Sequence, residues 1–326
     1  MATSPAIHSQ WTGEGSAWDG SNHPDGEGYR LHYVTGGWVI EADLDVVSLV
    51  VPDPLSQCGS RTAEWAEHEE QASAGVFAAI NANFFECDLS GDEFSGRSCP
   101  TKGERFSESG ALAVEQFPIG VHCGDGNCFD NSKHSSAKYM SHLVVARDGG
   151  VDLVVYEGAG APAEPPFYTP AGHTSPGAVA DANIAMAVSG APTLIRSGEI
   201  NDSATGWSSL HYYEGLADSG TIPFVGVSYD RKTLYLGLVR GGARLAAQEL
   251  LRVFPGQVEH AMSFDAGGSP SFWFKGASGA DAYRKVPTKL GLASSANRRP
   301  GRGRSRCLDT EAPPPSPTDP DAPQPE

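Results

Sequence analysis

The chain has 326 residues, 39% of them apolar, and a formal net charge of −17 at neutral pH. That charge argues against sequence-independent binding to nucleic acid or to an anionic membrane surface, and no apolar run is long enough to span a bilayer. Glycine (39) and proline (24) interrupt the chain too often for long helices. The expected fold class is therefore α+β: β-rich mixed sheets with a few helices packed on them, in a single large domain.

Residues 1–28 are rich in Gly, Ser and Asp and read as a loosely ordered lead-in. The body, residues 29–296, carries short apolar or alternating segments that read as strands. In chain order these are Gly37–Leu44, Val46–Val51, a strand from Val76 that ends in Asn81-Ala82-Asn83, Ala111–Glu115, His142–Ala146 and Val151–Tyr156. Ile184–Val188, Thr193–Ile195, Phe224–Ser228, Leu234–Val239, Ala261–Phe264 and Phe272–Phe274 follow. Two segments read as helices, Arg61–Ala74 and Ala243–Phe254. The second sets Ala247, Leu250, Leu251 and Phe254 on one face and Arg244, Gln248, Glu249 and Arg252 on the other, with Gly256 where a helix stop belongs. Residues 297–326 run from basic to Pro/acid-rich and read as a disordered tail.

The six cysteines (Cys58, Cys87, Cys99, Cys123, Cys128 and Cys307) are even in number and match no zinc spacing. One of fifteen possible pairings is Cys123–Cys128, Cys87–Cys99 and Cys58–Cys307. Disulfides would place the protein in an extracytoplasmic compartment, secreted or periplasmic; the alternative is six reduced cysteines in the cytosol. Met1–Gln10 has neither the basic region nor the apolar core of a signal peptide, so export would need a signal absent from this chain or another route.

Two constellations carry chemistry. In the first, an apolar strand ends in Asn81-Ala82-Asn83, followed by Phe84-Phe85-Glu86. Asparagines there either form a turn through their side chains or present amides to a sugar hydroxyl or phosphate oxygen. In the second, an apolar run ends at Asp265 and a Gly-rich turn follows, Ala266-Gly267-Gly268-Ser269. A carboxylate at the end of a buried strand is costly unless hydrogen bonds, a partner or a reaction accounts for it. Gly267, Gly268 and Ser269 can offer backbone N–H groups and a hydroxyl to an anionic oxygen; the plain reading is a hairpin turn. His211 precedes the strand at Phe224 and faces either the same cleft or solvent.

Other chemistries find no support. The ten histidines show no metal-ligand spacing, and Asp125-Gly126-Asn127 lacks the remaining ligands of a calcium loop. Nucleophile-elbow, P-loop and dinucleotide motifs are missing. No metal and no cofactor is expected.

Ile80–Phe85, Gly190-Ala-Pro192-Thr-Leu194 through Gly198, the Val225-Gly226-Val227 strand with its hairpin, the helix after it, and Phe264–Ser269 occur in an order that resembles the phosphodiester glycosidase family. Ala111–Val114, Arg284-x-Val286 and Leu290 extend the likeness, which covers about residues 30–292. The resemblance implies a glycoside hydrolase acting on a sugar-1-phosphodiester or related glycoconjugate, the alternative being a degenerate glycan-binding module of the same fold. It implies Asp265 as acid/base or oxocarbenium-stabilising carboxylate, with Asn81 beside it and Glu86 or Asp181 as a second carboxylate. Asn83, Gly267, Gly268, Ser269 and His211 would contact the carbohydrate. The chain departs from the family pattern twice. Thr221-Ile222-Pro223-Phe224 holds no arginine where the family has one, leaving Arg240, Arg196 or Lys102 to meet a phosphate, and Ala266 stands where glycine is usual.

Overall fold

A computed structural model describes residues 28–52, 62–70, 75–87, 116–124, 127–131, 140–147, 149–155, 184–201, 216–266, 269–275, 286 and 288–294. Seven strands form the largest sheet, in the spatial order β1 (Tyr29–Val34), β2 (Gly37–Asp43), β15 (Thr233–Arg240), β14 (Thr221–Ser228), β16 (Val258–Ser263), β12 (Thr193–Arg196) and β13 (Glu199–Ile200). A five-stranded sheet runs β10 (Val151–Val154), β9 (Ser141–Ala146), β11 (Ile184–Gly190), β7 (Gly120–Gly124) and β8 (Asn127–Asn131). A four-stranded sheet runs β17 (Phe272–Phe274), β4 (Val76–Asn81), β18 (Lys289–Ser294) and β3 (Val47–Val50). A small ribbon pairs β5 (Phe85–Cys87) with β6 (Gln116–Pro118). The strand pairs within these sheets are antiparallel.

The three larger sheets turn one face each onto a shared core. Leu31, Trp38, Ile40, Val225, Leu236 and Leu238 come from the seven-stranded sheet, Phe77, Ile80, Phe272 and Leu290 from the four-stranded, and Leu143 and Leu153 from the five-stranded. Trp38 stacks on Phe272 with ring centroids 5.9 Å apart, which ties two sheets directly. At one end of the core, the Arg231 guanidinium bonds Asp152 of β10 at 2.8 Å and pairs with Glu259 of β16, joining the seven- and five-stranded sheets.

Helix α1 (Thr62–Glu69) covers the outer face of the four-stranded sheet, with Trp65 against Val76, Ala79 and Trp273. Helix α2 (Ala243–Val253) covers the outer face of the seven-stranded sheet, burying Ala246, Ala247 and Leu250 with Phe224, Tyr235 and Val239. Strands β14 and β15 are thus covered on both faces, which is why they read as nearly continuous apolar runs. Gly242 starts α2 at φ 96°, and a Cβ there would stand 2.6 Å from the Ala217 carbonyl oxygen. Gly256 follows the helix at φ 70°. Glu249 departs from its expected solvent face. It is buried, accepts the Thr35 N–H at 2.8 Å and holds Arg252 at 2.7 Å. Burial pushes its carboxyl up, and these bonds outweigh that effect, leaving it below the ordinary value.

The β-rich expectation holds. The α+β assignment needs correction in its helical part: among the described residues two helices stand against eighteen strands, so the architecture is predominantly β. Both helices and most expected strands recur within a few residues of their sequence bounds. The expected strand Ala111–Glu115 lies outside the described residues. Strand β1, with Arg30 and His32 breaking its pattern, and the short β7 and β8 carried too little apolar periodicity to be recognised.

Candidate functional site

The seven-stranded sheet hands the chain to the four-stranded sheet at Asp265. Strand β16 ends at Ser263, and three successive backbone N–H groups then leave it for three different segments. Ser263 donates to the Pro192 carbonyl at 3.0 Å, Phe264 to Pro223 at 2.8 Å and Asp265 to Ala82 at 3.4 Å. Gly190 permits this convergence, because a Cβ there would fall 2.2 Å from the Ser263 oxygen. Asp265 is 7% exposed, and its own carbonyl accepts the Asn81 side-chain amide at 2.7 Å.

Asn81 and Asn83 are both buried, and their amides bind protein backbone. Asn81 Oδ1 accepts the Ser271 N–H at 2.9 Å while its Nδ2 holds Asp265. Asn83 Nδ2 donates to Ile119 and Val121 carbonyls at 3.2 and 2.9 Å, and its Oδ1 accepts the Ser189 N–H at 3.0 Å. Two residues on one strand end therefore fasten β4 to both other large sheets, Asn81 to the end of β16 and Asn83 to β7 and β11.

Behind Asn83 lies a buried polar chain that sequence reasoning missed. Ser189 Oγ donates to the Val121 carbonyl at 2.9 Å, accepts the Val121 N–H at 2.8 Å and lies 2.8 Å from His142 Nδ1. A hydroxyl has one hydrogen, so His142 carries its proton on Nδ1 and donates. Burial pushes the His142 pKa down to about 3, so the ring is neutral at physiological pH. His142 stood in an apolar run and Ser189 between Val188 and Gly190; only cross-strand pairing brings them together.

The remaining expected residues are placed as follows. Ser269 is fully buried, and its Oγ has no hydrogen-bond partner among the described residues. Arg240 ends β15 on the same edge of the sheet as Asp265. Its pair is Thr221. Arg240 is exposed. Arg196 lies at the opposite end of the sheet, close enough to His260 to help hold its pKa down to about 4, where burial is the larger cause. Glu86 lies on β5 next to Phe117, and its side chain is not described. Gly267, Gly268, His211, Asp181 and Lys102 lie outside the described residues. The structure thus brings the Asn81 side chain onto the backbone of Asp265 at one sheet junction, with Asn83 fastening the same strand end to β7 and β11.

A further residue at this junction escaped the sequence. Lys289 opens β18 as the cross-strand partner of Asn81, and it is 2% exposed. Its Nζ donates to the Val286 carbonyl at 2.5 Å. A lysine at the start of an apolar strand reads as a solvated end, and only the strand order encloses it. Among the described residues no group of three His, Cys, Asp or Glu side chains is placed to hold a metal ion. No helix among them is long and apolar enough to cross a membrane.

No protein-family model matches the chain, and no curated protein matches its sequence. The fold is nevertheless similar to the catalytic domain of zebrafish N-acetylglucosamine-1-phosphodiester alpha-N-acetylglucosaminidase, auto-inhibited by its pro-peptide, with a TM-score of 0.53 and 14% identity over 89% of this chain and 91% of that one. A hypothetical protein from Synechocystis aligns with a TM-score of 0.44 and 14% identity over 82% and 62% of the two chains. A Burkholderia pseudomallei K96243 protein, provisionally described as exported, aligns at 0.43 and 13% over 81% and 74%. At these identities the likeness is one of fold.

Proposed function

We propose that this chain is a glycoside hydrolase that cleaves a sugar-1-phosphodiester or a related glycoconjugate at the Asp265 junction. The carrying observation is the placement of Asp265, a nearly buried carboxylate whose backbone is held by Ala82 and Asn81 where two sheets meet. Such anchoring preorganises one carboxylate against a bound substrate. The fold-level likeness to a phosphodiester glycosidase supports the substrate class.

In this reading the bond from the anomeric carbon to the phosphodiester oxygen breaks and the phosphate monoester leaves as an anion. A water oxygen bonds to the anomeric carbon, and its proton passes to Asp265 or to solvent. A phosphate leaving group needs little protonation, so one carboxylate suffices where most glycosidases use two. Ser269 is the proposed hydroxyl contact and Arg240 the proposed cation. Glu86 is the candidate second carboxylate, and Gly267, Gly268 and His211 complete the proposed contacts. Asn81 and Asn83, whose amides bind backbone, position the site. The catalytic body is taken as residues 29–296, in a protein exported to an oxidising compartment.

The alternative, a glycan-binding module without turnover, is favoured by the lack of an arginine in Thr221–Phe224. The two separate experimentally. Purified protein is assayed for sugar release from an N-acetylglucosamine-1-phosphodiester beside Asp265→Asn. The hydrolase reading expects release by the wild type and a drop of about a hundredfold or more in the variant. Equal turnover in both removes Asp265 from the mechanism. Glycan binding without release by either protein favours the module.

A further inference from the structure

We propose that Thr62, the first residue of helix α1, is a positioning residue for Asp265 and acts on it through Ser271 and Asn81. Its kinetic consequence rests on the hydrolase reading; the hydrogen-bonded row that transmits it does not.

Asn81 holds the chain at two points with one side chain. Its Nδ2 donates to the Asp265 carbonyl at 2.7 Å, and its Oδ1 accepts the Ser271 N–H at 2.9 Å. Amide resonance keeps both bonds in one rigid plane, so a shift of Ser271 turns the group that holds Asp265. Ser271 is fixed in turn from outside the sheet, where its hydroxyl is hydrogen-bonded to that of Thr62. Thr62 and Ser271 are each 1% exposed, so losing one hydroxyl leaves the other short of a bond in a buried setting.

Strand alternation sets this row under the helix. Ala79 and Trp273 pack beneath α1 with Trp65; Asn81 stands two residues after Ala79, and Ser271 two before Trp273. Helix α1 lies along β17 and is tied to both of its flanks. Thr62 bonds Ser271 before the strand, and Glu70, which follows the helix, pairs with Lys275 after it at 3.2 Å. The lengths agree: from Thr62 to Glu70 a helix rises about 12 Å, and from Ser271 to Lys275 a strand extends about 13 Å. Between the two ties Trp65 closes on the sheet so tightly that a Cβ at Gly291 would meet its ring at 2.9 Å. The helix is thus seated as one body, and its first residue is the part that reaches the Asp265 junction. Three hydrogen bonds separate Thr62 from the Asp265 backbone, and small displacements of a catalytic group are costly to rate even when their origin is remote.

Sugar release from an N-acetylglucosamine-1-phosphodiester is measured for the wild type, Thr62→Val, Thr62→Ser and Ser271→Ala. Ala66→Gly is the control, since it loosens the same helix and touches no member of the row. Thr62→Val keeps the volume and removes the hydroxyl. It is expected to lower kcat about tenfold with KM within about twofold, and Thr62→Ser to restore kcat. Ala66→Gly is expected to lower the thermal midpoint and leave kcat unchanged. Thr62→Val combined with Ser271→Ala is expected to lose no more than either alone, because the two hydroxyls share one bond. An unchanged kcat in Thr62→Val, an equal loss in Ala66→Gly, or losses that multiply in the double variant overturn the proposal. If Thr62→Val does not fold, Ser271→Ala, which keeps the N–H bonded to Asn81, carries the same expectation.

A second measurement needs no turnover. Hydrogen exchange of the Asn81 side-chain amide, followed by NMR, is expected to be about tenfold faster in Thr62→Val and to return to the wild-type rate in Thr62→Ser. Faster exchange with no sugar release by any of the proteins upholds the positioning row and sinks the hydrolase reading. Wild-type release that falls in Asp265→Asn but not in Thr62→Val, with exchange unchanged, does the reverse.

Discussion

The Asn81 side-chain amide donates to the Asp265 main-chain carbonyl at 2.7 Å, across 184 positions of sequence. The bond fixes the backbone of the candidate carboxylate without touching its side chain, so support and chemistry can be altered separately. Asn81→Ala leaves the Asp265 carbonyl and the Ser271 N–H without the partners they have in a buried setting. A loss of about 3 kcal/mol in stability is expected from urea denaturation.

Asn83 offers a sharper test, since both amide hydrogens point at carbonyls. Asn83→Asp would set a carboxylate oxygen against the Ile119 and Val121 oxygens, whereas Asn83→Ala removes three bonds without adding repulsion. The expected order of urea midpoints at pH 7 is wild type, then Asn83→Ala, then Asn83→Asp. Equal midpoints for the two variants would show that the donors carry no weight at this position.

His142 sets an acid limit. Its pKa in the folded state is about 3, against an ordinary 6.5, and burial is the cause. Below pH 6.5 the unfolded chain takes up a proton that the folded chain refuses. Its contribution is therefore complete above pH 6.5 and is lost as pH falls towards 3, at about 1.4 kcal/mol per pH unit. His260, at about 4, adds to the slope in the same direction. Urea midpoints measured from pH 5 to 7 should flatten by about that single-proton slope in His142→Asn, which keeps a donor for Ser189.

Cys123 and Cys128 face each other in the register of the β7–β8 hairpin. Peptide mapping under non-reducing conditions is expected to recover them as one linked pair. Breaking so short a loop should cost about 2 kcal/mol. Recovery of Cys128 joined to another cysteine would refute the pairing and reopen the remaining arrangements.

Much of the strand inventory was legible because its signals are local. The β14–β15 hairpin, helix α2 with its Gly256 stop and the strand into Asn81 each announce themselves within short, continuous windows of sequence. Asp265 was legible for the same reason, a carboxylate closing an apolar run before a glycine-rich turn. The roles of Asn81 and Asn83 stayed open between turn and ligand. Their partners, Asp265, Ser271, Val121 and Ser189, lie between 38 and 190 residues away. Glu249 went to the wrong face because helical periodicity knows nothing of the Thr35 N–H that waits there.

By itself the sequence determined which segments become strands, where the chain turns and that a carboxylate stands at the end of one buried run, since these follow from side-chain patterning over a few residues. The tertiary structure alone decided that two sheets meet at that carboxylate, that two asparagines fasten them to each other and to the third, and that Lys289 is enclosed as the cross-strand partner of Asn81. The reason is the order of strands within a sheet. Strand β4 lies between β17 and β18, which follow it only after most of the chain has intervened, and no local pattern encodes which strand a buried polar side chain will find as its neighbour.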